Sequence, residues 1–476
     1  MSSDRSIAIV HYHLRGGGVT RVISHAAAAM RAAGWRCVVI VGEAPRVPVD
    51  FDVRVIDALR YDVDQTSPVG AAALSRAIRD AAGKVDLYHI HNHSLGKAAA
   101  LPGAARSLAA EGHRLVLQPH DFAEDGRPAN YRHLSHAGAL RDLYPVADHI
   151  HYATLNSRDR SALVEAGLDP VRIRTLPNAI DLPIDDSDPP HQHGRLFLYP
   201  TRAIRRKNMG EMLLWAAASR KAHPEARFAA TLAPTSAVDI PIYEDWKRLA
   251  ASLNLPAEFE VGSNCDASFT ALLRSAHALM TTSVAEGFGL AFLEPMLLGQ
   301  RLVGRDLPDI SADFKADDID LSSLYARLDV PLSWVSAETL REHIATKLHA
   351  SLEAYGQPCE AAHVDAALHA AAPGDTVDFG RLDESLQRRV IERLAADDAA
   401  CSQLEPDWLD VDLDPSRLAN NQRLVAERYN LQTYGQRLMS LYQCVLDAPV
   451  SSVDALEPRR VLDQFLAPER FFLLRT

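Results

Sequence analysis

The apolar residues of this chain fall in short unbroken runs rather than in strict alternation. "SIAIVHYHL", "WRCVVIVGE", "VRVID", "VDLYHIHN", "RLVLQPHD" and "HIHYATLN" each read as a strand. A run without in–out alternation is what a strand covered on both faces requires. Alanine-rich stretches with helical spacing lie between most of them. Val19 to Ala33, ended by Gly34, and Val69 to Ala82 are two. Strand followed by helix, repeated, predicts a parallel sheet wrapped by helices.

"DLPIDDSDPPHQHG", from Asp181 to Gly194, has the acids, prolines and glycine of a linker. The alternation then restarts. "RLFLYPTR", "ARFAATLAP", "AEFEVG", "HALMTTS" and "RLVG" read as strands, and Met209 to Ala222, Tyr243 to Asn254, Ala267 to Ala276 and Gly289 to Leu298 as helices. The fold class is therefore α/β, with two Rossmann-like doubly wound domains expected to face each other across a cleft. Ligands belong at the carboxyl ends of such strands. Asp306 to Asp414 is acidic and mostly helical in pattern, and Asn420 to Leu446 reads as one long helix.

Composition narrows the partners. At 476 residues the chain has room for two or three domains, at roughly 150 residues each. The formal net charge of −12 argues against a nucleic-acid partner, which would need a basic stripe, and weakly disfavours an anionic membrane surface. Five scattered cysteines without a CxxC pattern read as reduced thiols in a cytoplasmic protein. The start, "MSSDRSIAIVHYH", has no cationic segment leading into an apolar signal core. No apolar stretch approaches the roughly 20 residues of a membrane helix.

Four patterns carry candidate chemistry. Gly16, Gly17 and Gly18 sit between the first strand and the first helix. Glycines there let backbone amides approach an anion, though a bare tight turn would look the same. They do not form the GxGxxG of a dinucleotide site. Arg202, Arg205, Arg206 and Lys207 cluster after the first strand of the second half. A solvated basic loop is the plain alternative, but four cations at a strand's carboxyl end in an acidic chain suit phosphate oxygens.

In "SVAEGFGLAFLEP", Glu286 and Glu294 bracket a helix start. Eight residues of helix rise about 12 Å, too far for two carboxylates to act on one bond as a glycosidase pair does. Each can instead grip hydroxyls, with the amides of Gly287, Phe288, Gly289 and Leu290 between them for an anion. Polyol, phosphate, polyol is the order of a nucleotide-sugar; a capping acid beside a surface acid is the other reading. Lastly, His11, His13, His89, His91 and His93 alternate at strand ends. A zinc site there is geometrically open, but without a cysteine the set equally suits sugar hydroxyls. The acidic repeats at Asp62–Asp64 and Asp410–Asp414 read as solvated faces rather than metal ligands.

"EGFGLAFLE" resembles the E-x7-E signature of retaining glycosyltransferases of the GT-B fold, family-4 type. "GGGVTRVI", "HIHNH", "PHD", "LNSRDRSALVEAGLDPVRIRTLPNAID" and "RAIRRKN" resemble other family segments in the right order, over roughly the first 305 residues. "AERYNLQTYGQRLMSLY" is similar to the family's crossover helix. The resemblance implies an acceptor domain at 1–185 and a donor domain at 190–430 with a helical insertion at about 310–400. It also implies helices at 431–476 that return to the first domain.

It implies roles as well. Glu286 would bind donor-sugar hydroxyls and Glu294 the ribose. Arg202 and Lys207 would neutralise the diphosphate, with the amides of Gly287–Leu290 and the Gly16–Gly18 loop. His120 would face the reacting sugar, and His91, His120 and Asp121 the acceptor. The expected partners are a nucleotide-diphosphate sugar and a small polar acceptor, with no nucleic acid, no membrane insertion, no metal and no cofactor. Homo-oligomers stay open. A sugar phosphorylase or a non-catalytic sugar-nucleotide binder on the same fold are the alternatives. The chain departs from the family at Thr201, at Ala179 after Asn178, at Pro295 inside the helix, and after Gly304, where "RDLPDISADFKADDIDLSSLYARL" replaces a glycine-rich turn.

Overall fold

The structure, a computed structural model, describes residues 5–62, 69–182, 189–190, 194–264, 266–404 and 414–476. Much of the expected linker (183–188 and 191–193), Asp64, Cys265 and most of the acidic run Asp410–Asp414 lie outside the described residues. The chain forms two compact units. One comprises Met1–Ala179, Ala354–Gln357 and Tyr429–Ala467; the other comprises Ile180–Glu353, Pro358–Arg428 and Pro468–Thr476.

The first unit holds strands β1 (Ser6–Val10), β2 (Arg36–Val41), β3 (Asp52–Val55), β4 (Leu87–His91), β5 (Leu115–Gln118), a short β6 (Pro145–Val146), β7 (Ile150–Thr154) and β8 (Ile173–Thr175). Seven of them form one parallel sheet in the order β3-β2-β1-β4-β5-β7-β8. The unbroken apolar runs are explained by two cores. Ile7 and Ile9 of β1 pack on one face with Val39 and Val41, while Ala8 and Val10 pack on the other with Val38 and Ile40. The first face is covered by the helices Gly18–Ala32 and Leu431–Asp447 through Ile23, Met30, Leu438 and Val445. The second is covered by Ala71–Ala82, Leu101–Ala110 and Pro458–Phe465 through Leu74, Ile78, Leu108 and Leu462. Each such fully buried side chain contributes about 2 kcal/mol.

The second unit holds β9 (Arg195–Arg202), β10 (Ala226–Leu232), β11 (Ala257–Glu258), β12 (Ala278–Thr281), β13 (Leu302–Arg305) and β14 (Leu324–Tyr325), a parallel sheet in the order β11-β10-β9-β12-β13-β14. β15 (Asp329–Pro331) and β16 (Thr376–Asp378) pair antiparallel beside it. β17 (Asp454–Ala455) pairs antiparallel with β6 in the first unit. Strand order reverses between β1 and β4 in one sheet and between β9 and β12 in the other. Doubly wound sheets bind ligands just outside the carboxyl ends of the strands at such a reversal.

Several expectations are corrected. The strand "AEFEVG" is paired only at Ala257–Glu258. The single late helix is two, Pro415–Arg428 and Leu431–Asp447. The break is at Asn430, whose side chain accepts from the Thr433 amide and so starts a new helix. The tail expected to return whole to the first domain divides. Residues 468–476 cluster with the second unit, where Arg381 donates to the carbonyls of Glu469 (2.8 Å) and Phe471 (2.7 Å) and Leu473 and Leu474 are buried. Pro295 lies past the first turn of the helix Leu290–Leu297, so the carbonyl of Ala291 loses its usual helical donor. Among the described residues no helix is long and apolar enough to cross a membrane.

Candidate active site

In the second unit the reversal point gathers two loops. The chain leaving β9 makes a tight turn at Arg205–Lys207 before the helix Met209–Ser219, and the chain leaving β12 runs from Thr282 to Gly289. The loops are stitched together. Thr282 Oγ1 donates to the carbonyls of Lys207 and Asn208, both at 3.0 Å, and the Val284 amide donates to Arg206 O at 3.0 Å. The result places Lys207 Nζ in an ion pair with Glu286 Oε1, side chains only 13% and 10% exposed. Ser283 Oγ donates to the same oxygen at 2.6 Å, and Tyr199 OH lies 2.8 Å from Ser283 Oγ.

Proton counting orients this chain. A carboxylate only accepts, so the single Ser283 hydroxyl proton points at Glu286, and the one Tyr199 proton is shared between Ser283 Oγ and the carbonyl of Lys207 at 3.1 Å. Burial raises the Tyr199 phenol above its ordinary range, which keeps it a donor. Glu286 Oε2 has no hydrogen-bond partner among the described residues.

The other expected anion ligands are placed as follows. Arg202 is exposed at the end of β9 and donates to Ala233 O at 3.0 Å. Arg205 faces away, paired with Glu384 at 2.8 Å. Gly287 and Phe288 form the bend before the helix, and the Phe288 ring packs on Phe314. Gly289 opens the helix in the left-handed region at φ 96°, and a Cβ there would lie 2.9 Å from Ile310 Cγ2 and from the Phe292 ring. No side chain caps the helix, which leaves the Leu290 and Ala291 amides oriented for an acceptor group, while the Phe292 amide donates to Gly289 O at 2.9 Å. Glu294 is half-buried in the second turn.

In the first unit, Gly16, Gly17 and Gly18 are exposed, and a Cβ on any of them would meet nothing within 4 Å. They open the uncapped helix Gly18–Ala32. At the ends of β4 and β5 a row of imidazoles is stacked, with ring centroids 4.2 Å apart for His89–His91 and 5.1 Å for His91–His120. His91 Nδ1 lies 2.8 Å from His120 Nε2, so one proton serves that bond. Burial, reinforced by neighbouring imidazoles, holds His120 down to about 3 and His91 well below its ordinary value, so both are neutral at pH 7. His91 is wholly enclosed while His120 keeps 7% of its surface. The expectation of direct acceptor contact does not fit the full enclosure of His91. Asp121 pairs with Arg127. Close by, Lys97 Nζ sits 5.4 Å over the half-exposed Tyr61 ring, whose hydroxyl is 2.8 Å from His13 Nε2. Among the described residues no three His, Cys, Asp or Glu side chains converge as metal ligands.

Sequence reading missed the supports. Asn92, left-handed at φ 54°, accepts the His120 and Asp121 amides on Oδ1 at 2.7 and 3.2 Å. Asn208, left-handed at φ 52°, turns the chain after Lys207 and is held through its side-chain amide instead. An asparagine directly beyond a strand or a tight turn was the available signal, since Asn tolerates that conformation.

Residues 17–179 match the family model of the glycosyl transferase 4-like domain. A mannosylglucosyl-3-phosphoglycerate synthase from Petrotoga mobilis is 28% identical over 364 residues, covering 69% of this chain and 70% of that one. Solved structures share the fold. They include a glycosyltransferase from Rickettsia africae (TM-score 0.53, 12% identity, 93% of this chain and 99% of that one). Anabaena HepE in complex with UDP and glucose is another (0.50, 11%, 92% and 99%). So is the catalytic domain of Arabidopsis thaliana starch synthase IV bound to ADP and acarbose (0.51, 11%, 93% and 99%).

Proposed function

We propose that the chain is a glycosyltransferase of the GT-B, family-4 type that moves a hexose from a nucleotide-diphosphate sugar to a small polar acceptor with retention of configuration and without a metal ion. The observation that carries the reading is the Lys207–Glu286–Ser283 constellation at the strand reversal of the second unit. Glu286 offers its unused oxygen to donor-sugar hydroxyls. Lys207, within reach of that carboxylate, turns to the diphosphate when the donor enters, joined by Arg202 and the first-turn amides ahead of Glu294. Glu294 takes the ribose. Fixed cations and amides supply the charge stabilisation that a metal would otherwise give.

The anomeric carbon–phosphate oxygen bond breaks, and the acceptor oxygen bonds to the anomeric carbon on the same face. The acceptor proton passes to the departing phosphate oxygen. His120 hydrogen-bonds sugar hydroxyls as a neutral imidazole, and His91 fixes its tautomer from behind. The name of the Petrotoga relative supports trying phosphoglycerate glycosides first as acceptors.

The test is turnover of UDP-, GDP- and ADP-hexoses with glucosyl-3-phosphoglycerate, 3-phosphoglycerate and free sugars, with the product anomer read by NMR. Wild type is expected to transfer with retention and Glu286→Ala to lose transfer while staying folded. Full activity in Glu286→Ala, or an inverted product, would refute the assignment.

A further inference from the structure

A buried polar chain runs from the Lys207 loop to the inserted segment of the second unit. Its first member is Asn208, whose left-handed backbone (φ 52°, ψ 56°) turns the chain from the tight turn into the helix Met209–Ser219. Asn208 Nδ2 donates to Glu211 Oε2 at 2.8 Å. Arg305 donates to Glu211 (2.7 Å from Nη2) and to Asp378 on β16 (2.8 Å from Nη2, 3.1 Å from Nη1). Tyr325 OH donates to Glu211 Oε1 at 2.9 Å, and the amides of Leu328 and Gly380 donate to Asp378 Oδ1, each at 3.2 Å. Arg305, Glu211 and Asp378 are almost wholly enclosed, and every carboxylate oxygen is satisfied. Such a network has one low-energy arrangement, so it holds its members rigidly.

The second grip on Asn208 comes from the helix Glu384–Ala396. Gln387 Nε2 donates to Asn208 Oδ1 at 2.9 Å and to Phe379 O at 3.2 Å. Gln387 is fully buried, and its Oε1 has no partner. Room for it depends on Gly210, where an added Cβ would collide with Gln387 Oε1. A glycine inside a helix costs stability, so the space it leaves has a use. Asn208 thus has both ends of its amide held, one by Glu211 and one by Gln387, directly beside the residue that pairs with Glu286.

We infer that Gln387 is a positioning residue for the transfer: it acts through Asn208 to fix the turn that aims Lys207 at the donor diphosphate. The inference rests on the transferase reading above. It assigns a task to the helical segment after β14: it braces the donor loop from behind and contacts no substrate.

Gln387→Leu tests this best, because it removes the grip while leaving no buried donor or acceptor of its own. The measurement is kcat/KM varied separately in donor and in acceptor, with thermal melting alongside. A misaimed loop costs on the order of tenfold or more. We expect kcat/KM for the donor to fall about tenfold, the acceptor KM to stay within twofold and the melting temperature to drop by only a few degrees, since Asn208 Oδ1 and Phe379 O each lose a buried donor. Gly210→Ala keeps the amide but displaces it, and should reproduce the donor-selective loss. A purely structural role would lower the melting temperature without separating donor from acceptor. Donor kcat/KM within twofold of wild type, in whichever variant melts as a folded protein, overturns the inference. If that occurs while Glu286→Ala is inactive, only the positioning claim fails. If Glu286→Ala is itself active, the transferase reading fails first.

Discussion

Replacing Ser283 with alanine removes the one hydroxyl that ties Glu286 to the body of the second unit. The lost bond is 2.6 Å long and ends on a carboxylate, a class worth about 1.5–3 kcal/mol. If Glu286 grips the donor in the transition state, that loss corresponds to roughly a 10- to 100-fold fall in kcat/KM. Stability should suffer less. Tyr199 OH loses Ser283 as an acceptor but keeps Lys207 O at 3.1 Å, so the cost is about 1 kcal/mol. Tyr199→Phe is the matched control. Since the Ser283 proton points at Glu286, losing the phenol leaves the Ser283–Glu286 bond intact and removes only neutral bonds, to Ser283 Oγ and to the Lys207 carbonyl. Its effect on kcat/KM should be below about tenfold, a neutral bond's worth. Steady-state kinetics on the preferred donor, with melting curves on both variants, decides the matter. A larger loss in Tyr199→Phe than in Ser283→Ala, or no loss in Ser283→Ala, would refute the reasoning.

Three more outcomes are expected. Glu294→Ala should raise the donor KM at least about tenfold, as measured by initial rates; an unchanged KM would favour a phosphorylase, which has no ribose to hold. Lys97→Met should raise the KM for a phosphorylated acceptor several-fold and leave that of a neutral sugar alone, because Lys97 has no carboxylate partner among the described residues; equal effects on both would exclude phosphate contact. The third is a pH dependence of stability. Burial holds His11 to about 4 and His89 and His120 to about 3, against about 6.5 when unfolded. The unfolded chain therefore binds protons that the folded one refuses. Stability is full above pH ~6.5 and falls as the pH drops toward the folded values, by about 1.4 kcal/mol per histidine at pH 5.5. Glu124, pushed up to about 7 by burial, titrates with the opposite sign, so the melting series is cleanest in Glu124→Gln. A flat melting temperature from pH 7.5 to 5.5 would contradict the buried neutral histidines.

The two sheets were legible because both faces of each central strand are covered. Ile7 to Val10 carry no alternation for that reason, and neither do Leu196 to Tyr199. Lys207 and Glu286 were legible as a basic loop and an acid at two strand ends, and the fold brings them together. Their supports were not. Ser283, Tyr199 and Gln387 acquire meaning only from partners far along the chain, and local pattern carries no such pairing. Arg305 shows this most clearly. In sequence it is one more charge in a loop; in the fold it is buried between Glu211 and Asp378, drawn from elements 94 and 73 residues away. The break at Asn430 was readable as a helix cap, but the apolar spacing that continues through it concealed the signal. The segment from 306 to 414 lacked strand signals because β14, β15 and β16 are only two or three residues long.

The central claim, that the second unit holds a nucleotide diphosphate at Lys207, is tested most directly by calorimetric titration of UDP, GDP and ADP into wild type and Lys207→Met. The account predicts saturable binding of at least one of the three to wild type, weakened about tenfold or more in the variant, as befits loss of a charge-assisted contact. Equal affinity in both proteins, or no binding of any of the three to wild type, would contradict it.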